Sequence, residues 1–243
     1  MFVDNSLQNT MRFELPWSWR TYLSFCCLAY LVSAAHELAH HVAGYLTSGQ
    51  FGRMSFNLFS VAEGHPHPVL VSLAGPLVTY SAAWIGASLV IRGVRPVLGY
   101  GLIAGSSVYM RLVGVIGGGG DKSVISRTLT GTVHRWPLVV ISAILALPPI
   151  YMAFRLLANR SKTWVFVGSM FGPFIPLLFV RLADQRWYAS NVNAPESFHQ
   201  LSVAGIPMMV LVLDLLVLLG FFTFGWRGLR EDSREGSALA EIV

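Results

Sequence analysis

Long apolar stretches with few charged residues dominate the chain and alternate with shorter polar connections. Each stretch is long enough to cross a hydrocarbon core of about 30 Å as a helix that rises about 1.5 Å per residue. Helices are the expected form because a lipid-exposed strand or loop would leave backbone N–H and C=O groups without hydrogen-bond partners. The predicted spans are Tyr22–Leu46, Val69–Ile91, Val97–Ile116, Trp136–Ala158, Thr163–Val180 and Leu201–Trp226.

Composition supports a membrane protein. Of the 243 residues, 54% are hydrophobic and only 12% are charged, whereas soluble domains carry about 25% charged residues. The net charge is +5, but the basic residues separate the apolar stretches instead of forming a patch, so no nucleic-acid partner is expected. The two adjacent cysteines cannot form a disulfide framework. The predicted fold class is therefore an all-α integral membrane protein with about six transmembrane helices in the lipid bilayer.

The order of these stretches divides the chain into four parts. We expect an N-terminal interfacial segment, a three-helix core, three further transmembrane helices and a solvated C-terminal tail, at residues 1–20, 21–130, 131–226 and 227–243. With six spans, ten Lys and Arg residues fall on the side of the membrane that holds both termini and six on the other. Because basic loops are retained in the cytoplasm, the prediction is a multi-pass protein with cytoplasmic termini.

One polar motif interrupts the first apolar stretch. Residues 36–40 read His-Glu-Leu-Ala-His, so His36 and His40 lie one helical turn apart on one face. Two neutral imidazoles at this spacing can bind one zinc ion (Zn²⁺), and Glu37 is placed to accept a proton from a metal-bound water. Ionisable groups within a span are costly unless compensated, and a divalent cation would compensate them. The alternative is a polar cluster that neighbouring helices satisfy.

A catalytic zinc ion needs a third protein ligand and an open position for water. We prefer Asp121, because the first and third spans run in the same direction and bring His40 and Asp121 towards one membrane face. The glycine run Gly117–Gly120 would let the backbone approach the ion closely. The alternative interpretation of Asp121 and Lys122 is a solvated charge pair in a loop. Rival ligands are His65, His67, Asp184 and His134.

These motifs together resemble the site-2 protease family of intramembrane zinc metalloproteases. The resemblance is carried by residues 36–44 (His-Glu-Leu-Ala-His-His-Val-Ala-Gly), by residues 74–77 (Ala-Gly-Pro-Leu) one helix later, and by Asp121 one helix after that. It implies a metalloprotease-like core within residues 21–130, with zinc held by two histidines and one aspartate and a glutamate as general base. Carried over, the metal ligands are His36, His40 and Asp121, and the catalytic base is Glu37.

The leading functional hypothesis is an intramembrane zinc endopeptidase that cleaves a membrane-spanning protein substrate with a metal-activated water. The alternative is a non-catalytic, protease-derived membrane scaffold or a subunit of a larger membrane complex. Family members surround their aspartate with an Asn- and Pro-containing stretch that ends Leu-Asp-Gly, whereas residues 117–122 here read Gly-Gly-Gly-Gly-Asp-Lys. This departure favours the alternative, while the presence of Glu37 favours the enzyme.

Two further features bear on function. A substrate helix must unwind to be cleaved, and the segment Phe51–Val61 is a candidate strand pair for binding the extended chain, although an ordinary interfacial loop is the preferred interpretation. Arg111 and Asp214 lie within spans and would suit a transporter or a proton-conducting protein. The preferred interpretation of these two residues is a paired structural contact or a position at the membrane interface.

Overall fold

The computed structural model describes residues 12–56, 59–60, 66–117, 120–191 and 202–229. Within these residues, six helical stretches are long and apolar enough to cross a membrane, at Trp19–Ser48, Pro68–Ile91, Pro96–Ile116, Arg135–Leu156, Lys162–Asp184 and Met208–Gly228. Their number and places confirm the prediction of a helical, multi-pass membrane protein. The first part of the N-terminal segment and nearly all of the C-terminal tail lie outside the described residues.

The secondary structure consists of helices joined by short connections and two small strand pairs. The helices are α1 (Trp19–Ser48), α2 (Pro68–Ile91), α3 (Pro96–Ser106), α4 (Val108–Ile116), α5 (Asp121–Thr130), α6 (Arg135–Leu156), α7 (Lys162–Phe171), α8 (Phe174–Asn191), α9 (Met208–Gly220) and α10 (Trp226–Gly228). A π-helical turn, Phe221–Gly225, joins the last two. The strands are β1 (Arg53–Met54), β2 (Phe59–Ser60), β3 (Ser202–Val203) and β4 (Ile206–Pro207).

Helix α1 is the central element of the bundle. It begins after Ser18, whose hydroxyl accepts a hydrogen bond from the backbone N–H of Thr21, and it ends at Gly49 in a left-handed conformation. Its 30 residues make it about 45 Å long at about 1.5 Å per residue, which is longer than the hydrocarbon core of a bilayer. It packs against α2, α3, α8, α9 and the π-helical turn. Residues on α1 can therefore meet side chains from most of the other elements.

Helices α2 and α3 form the tight antiparallel hairpin that the short connection at residues 92–95 predicts. Gly86 on α2 and Gly99 on α3 face each other, and a β-carbon added at Gly99 would lie 2.6 Å from the carbonyl oxygen of Gly86. The two backbones approach this closely because neither residue has a side chain, as is common where membrane helices pack.

The ends of two predicted spans differ from the structure. The third span is interrupted at Ser107, which has a φ of 49° and separates α3 from α4. The sixth span begins at Met208 instead of Leu201, because β3 and β4 pair around a turn in which Ala204 and Gly205 have positive φ. Residues from Asp121 onward, between the third and fourth predicted spans, form the helix α5.

The interpretation of the segment Phe51–Val61 as an ordinary loop is wrong. Within its described part, β1 pairs antiparallel with β2. The backbone N–H of Met54 also donates to the carbonyl oxygen of Gly205, 3.1 Å away, so this strand pair meets the β3–β4 pair. Pairing satisfies backbone groups that would otherwise lack partners near the end of a membrane-spanning helix.

The close contact between α2 and α3 can be tested by substitution. Gly86→Ala places a methyl group against the backbone of α3, and overpacking of this kind costs about 1–3 kcal/mol. Gly220→Ala is the matched control, since a β-carbon there meets nothing within 4 Å. We expect Gly86→Ala to lower the thermal unfolding midpoint in detergent by several degrees relative to Gly220→Ala. Equal midpoints for the two variants would contradict this packing.

Candidate metal centre

Three side chains converge near the end of α1. The Nε2 atoms of His36 and His40 lie 3.1 Å apart. The carboxylate of Asp121 contacts both imidazoles, one oxygen to each. Its Oδ2 atom lies 3.3 Å from Nε2 of His36, and its Oδ1 atom lies 3.4 Å from Nε2 of His40. Both histidines are buried, with exposures of 1% and 3%. Within the described part of the chain, these three residues form a group whose ligand atoms are close enough together to hold one metal ion.

Local structure brings each of the three residues to this point. The helical spacing of α1 stacks the two imidazoles one turn apart. Asp121 is the first residue of α5, directly after Gly120, whose φ of 80° is a conformation that glycine adopts without strain. A carboxylate at the first turn of a helix is also stabilised by the helix dipole. The predicted glycine turn is therefore present at Gly120, while Gly118 and Gly119 lie outside the described residues.

The second nitrogen of each imidazole is held by α2. Nδ1 of His40 lies 2.6 Å from the carbonyl oxygen of Val71, and because a carbonyl only accepts, this nitrogen must carry the proton. Nε2 of a neutral His40 then presents its lone pair to the cluster. Nδ1 of His36 lies 2.8 Å from the hydroxyl of Thr79. Partners of this kind fix the ring orientation of metal-binding histidines.

Gly75 lies between these two partners on the same face of α2. A β-carbon added at Gly75 would lie 2.7 Å from Nε2 of His36 and would also collide with Nε2 of His40. The imidazoles therefore occupy the space that a side chain at this position would need. Val71, Gly75 and Thr79 are spaced four residues apart, and this helical spacing is the sequence signal that could have identified the face of α2 that packs against the histidines.

A lysine connects the start of α5 to the rest of the bundle. The ammonium group of Lys122 donates hydrogen bonds to the hydroxyls of Tyr80 on α2 and Ser142 on α6, the latter at 2.6 Å. Burial and the nearby charge of Arg111 lower the pKa of Lys122 to about 8. Lys122 is thus still a cationic donor at neutral pH and fastens α5 beside the histidines. The interpretation of Asp121 and Lys122 as a solvated loop pair does not describe this arrangement.

Asp121 carries its charge in this environment. Burial alone would raise the pKa of Asp121, but hydrogen bonds from His36 and His40, where their Nε2 atoms carry a proton, outweigh it, and the pKa lies well below its usual range. The guanidinium of Arg111 adds a weaker contact, with its Nη1 atom 3.9 Å from the carboxylate. An ionised carboxylate is the form that binds a cation.

Glu37 lies beside the cluster. Its side chain is 6% exposed, and it interacts electrostatically with His40, Asp121, Arg111 and Arg181. A buried carboxylate in a membrane-spanning helix is costly unless opposite charges compensate it. A buried carboxylate next to a cluster that could bind a metal ion is in a position to accept a proton beside that ion.

The structure brings none of the described rival ligands to the cluster. Asp184 accepts a hydrogen bond from the hydroxyl of Ser55 at 2.7 Å. His134 lies 3.1 Å from the hydroxyl of Thr132, and His67 is an exposed residue directly before α2. His65 lies outside the described residues. The rival ligands therefore belong to other local contacts wherever the structure describes them.

Of the two alternatives predicted for Arg111 and Asp214, a paired contact or a position at the membrane interface, the paired contact is wrong. The ion pair of Arg111 is with Asp121, whereas Asp214 accepts a hydrogen bond from the hydroxyl of Tyr30 at 2.7 Å. Each of these two intramembrane charges therefore has its own partner.

The two strand pairs lie over this end of α1. The ring of Phe59 in β2 stacks on the imidazole of His40, with ring centroids 5.8 Å apart. His41, the residue after His40, donates from Nε2 to the carbonyl oxygen of Ala204 at the turn of the β3–β4 pair, 2.7 Å away. The ring of His41 also stacks on Phe51. The cluster is thus covered by strands on one side.

A cavity of about 300 Å³ adjoins the cluster on another side. Its polar lining includes Asp121, Arg111, Lys122, Arg181 and Thr79. The predicted fifth span ends at Val180, one residue before Arg181. Arg181 lies instead within the fifth membrane-spanning stretch, Lys162–Asp184.

No protein-family model, curated protein or solved structure matches this chain. What indicates a function is the local chemistry: two imidazoles and one carboxylate within 3.4 Å of each other, an adjacent buried carboxylate, and a polar cavity beside them.

Proposed function

We propose that His36, His40 and Asp121 bind a zinc ion. The observation that carries the proposal is that the two imidazole nitrogens lie 3.1 Å apart and each has one oxygen of the Asp121 carboxylate 3.3 or 3.4 Å away. A tetrahedron with metal–ligand bonds of about 2.0–2.1 Å has edges of about 3.3–3.4 Å. Two imidazole nitrogens and one carboxylate oxygen are also ligands that zinc accepts, and three protein ligands leave a fourth position for water.

We further propose that the protein is an intramembrane zinc endopeptidase of the site-2 protease type. A zinc ion, when bound, lowers the pKa of its water towards about 7 and polarises a peptide carbonyl. Glu37 would accept the proton of that water on its carboxylate and return it to the leaving amine nitrogen. The buried position of Glu37 supports this role, because a purely structural metal site does not need a second carboxylate that is not a ligand.

The strands near the cluster suggest how a substrate would be held. A peptide bond within a helix is hydrogen-bonded and sterically shielded, so the substrate must be extended where it is cleaved. An extended segment can add to an existing strand pair through backbone hydrogen bonds. The β1–β2 pair is suited to this, because Phe59 of β2 lies directly against His40. The substrate class we propose is a membrane-spanning protein helix that unwinds locally.

The central test compares wild type with Glu37→Gln in proteoliposomes. We expect one zinc ion per chain in both proteins and cleavage of fluorescent transmembrane peptides by wild type alone. The loss of a general base lowers rates by about 10²–10⁴-fold, while the isosteric amide leaves the metal ligands intact. Glu14→Gln is the matched control, since Glu14 is exposed and outside the site, and it should cleave like wild type.

The other outcomes of this comparison identify which part is wrong. Zinc in both proteins with no cleavage by either contradicts the protease and favours the non-catalytic scaffold or complex subunit. Absence of zinc from wild type contradicts the metal site itself.

The packing of Gly75 gives an independent test of the metal site. Gly75→Ala places a methyl group where the two imidazole rings lie, and disturbance of the groups that orient metal ligands costs about 10–100-fold in metal affinity. We expect zinc affinity, measured by competition with a chelator, to fall at least about tenfold. Gly220→Ala, where the added methyl group meets nothing, should bind zinc like wild type. Wild-type affinity in a folded Gly75→Ala protein would contradict the assignment.

A further inference from the structure

We propose that the cavity beside the cluster binds a carboxylate of the substrate peptide. The proposal deepens the protease function and rests on it for the substrate being a peptide. The cavity has a volume of about 300 Å³, at the lower end of the range of ligand pockets, roughly 300–1,000 Å³. This volume suits one or two side chains and is too small for an intact helix.

The cavity is lined by more basic than acidic residues. Among its described lining residues, Arg111, Lys122 and Arg181 are basic and Asp121 is acidic. The carboxylate of Asp121 is already engaged by the two imidazoles, at 3.3 and 3.4 Å, and its contact with Arg111 is 3.9 Å long. The ammonium of Lys122 is engaged by two hydroxyls. The lining thus has an excess of positive charge, provided chiefly by the two guanidinium groups.

The two arginines of the cavity lie at membrane depth. Both belong to membrane-spanning stretches, and they interact as like charges, with Glu37 as the opposite charge that acts on Arg181. Cations at membrane depth are costly unless anions offset them. The three basic groups of the cavity outnumber the two nearby carboxylates, Asp121 and Glu37. A cation bound by His36, His40 and Asp121 would increase the positive potential further. An anionic group in the cavity would therefore be strongly stabilised.

The chemistry of the lining favours a carboxylate. A guanidinium presents a planar set of N–H donors that matches two carboxylate oxygens. Hydroxyls of Thr79 and Ser33 line the same cavity and add neutral donors. Because Asp121 is both a cluster residue and a lining residue, the bound carboxylate would lie close to the bond that is cleaved. It can come from an acidic side chain or from the C-terminus of the substrate, and both sources provide the same group.

The experiment measures binding instead of cleavage, so the substrate stays intact. The Glu37→Gln protein is titrated with fluorescent transmembrane peptides that are identical except for one Glu or Gln, scanned along the sequence. A second pair has a free or an amidated C-terminus. We expect one Glu position, or the free C-terminus, to bind about tenfold more tightly, as for a charge-assisted hydrogen bond. The first result identifies an acidic side chain and the second a terminal carboxylate.

Arg181 is the residue to change, because Arg111 lies 3.9 Å from a proposed metal ligand and its loss would disturb the cluster. Arg181→Gln, in the same Glu37→Gln background, should reduce the preference to less than about twofold, and Arg181→Lys should keep part of it because the charge remains. Arg186→Gln is the matched control, since Arg186 is an exposed arginine on the same helix, and it should keep the full preference. Unchanged zinc content verifies that each variant is folded.

Equal binding of every Glu and Gln pair and of both C-terminal forms would overturn the proposal. It would also be overturned if Arg186→Gln removed the preference as completely as Arg181→Gln. The protease function and the carboxylate site can be told apart. A carboxylate preference in a protein that binds no zinc contradicts the protease function but not the carboxylate site. Zinc binding and cleavage without the preference contradict the cavity alone.

Discussion

Electron-pair donors crowd together within an apolar helical bundle at the end of α1. Nε2 of a neutral His40 presents a lone pair, because its Nδ1 atom donates to the carbonyl oxygen of Val71. The ionised carboxylate of Asp121 lies 3.4 Å from that nitrogen and 3.3 Å from His36. Such groups repel each other at this distance unless a positive species lies between them. A proton on one of the imidazoles or a metal ion provides that charge, and every functional argument depends on which of the two it is.

The surrounding helices are built around this contact. Helix α2 contributes three features to the site. The carbonyl of Val71 accepts a hydrogen bond from His40, the hydroxyl of Thr79 contacts His36, and Gly75 leaves room for both imidazole rings. The turn at Gly120 and the hydrogen bonds of Lys122 hold Asp121 against the Nε2 atoms of the two rings. The same close approach between backbones that lets α2 pack on α3 at Gly86 lets α2 pack on the histidines at Gly75. Packing and site geometry thus have a common cause.

Much of the fold could be predicted from hydrophobic patterning, because a membrane leaves few alternatives to long apolar helices. The hairpin between α2 and α3 followed from its short connection, and the convergence of His36, His40 and Asp121 followed from helical spacing and the direction of the spans. Residues 51–61 and 201–207 were harder, because strands of two residues have too few positions for an alternating pattern. Their pairing is set by contacts between segments that are far apart in sequence.

The side chains that support the site were also difficult to predict. Thr79 and Val71 are ordinary residues of an apolar helix, and only the orientation of α2 against α1 makes them partners of the histidines. The pairing of Arg111 with Asp121 instead of Asp214 depends in the same way on how the helices rotate about their axes. The predicted fifth span ends at Val180, one residue before Arg181, whereas the helix continues beyond it. Tertiary contacts decide all of these positions.

The most direct test of a metal ion at this site is X-ray absorption at the zinc edge on the purified protein. We predict one zinc ion per chain with nitrogen and oxygen ligands at about 2.0–2.1 Å and the multiple-scattering signature of two imidazoles. Asp121→Ala should remove one oxygen ligand from the spectrum and lower zinc occupancy. A protein that retains no zinc would contradict the metal site. So would a spectrum with fewer than two imidazoles, or a spectrum that is the same in wild type and Asp121→Ala.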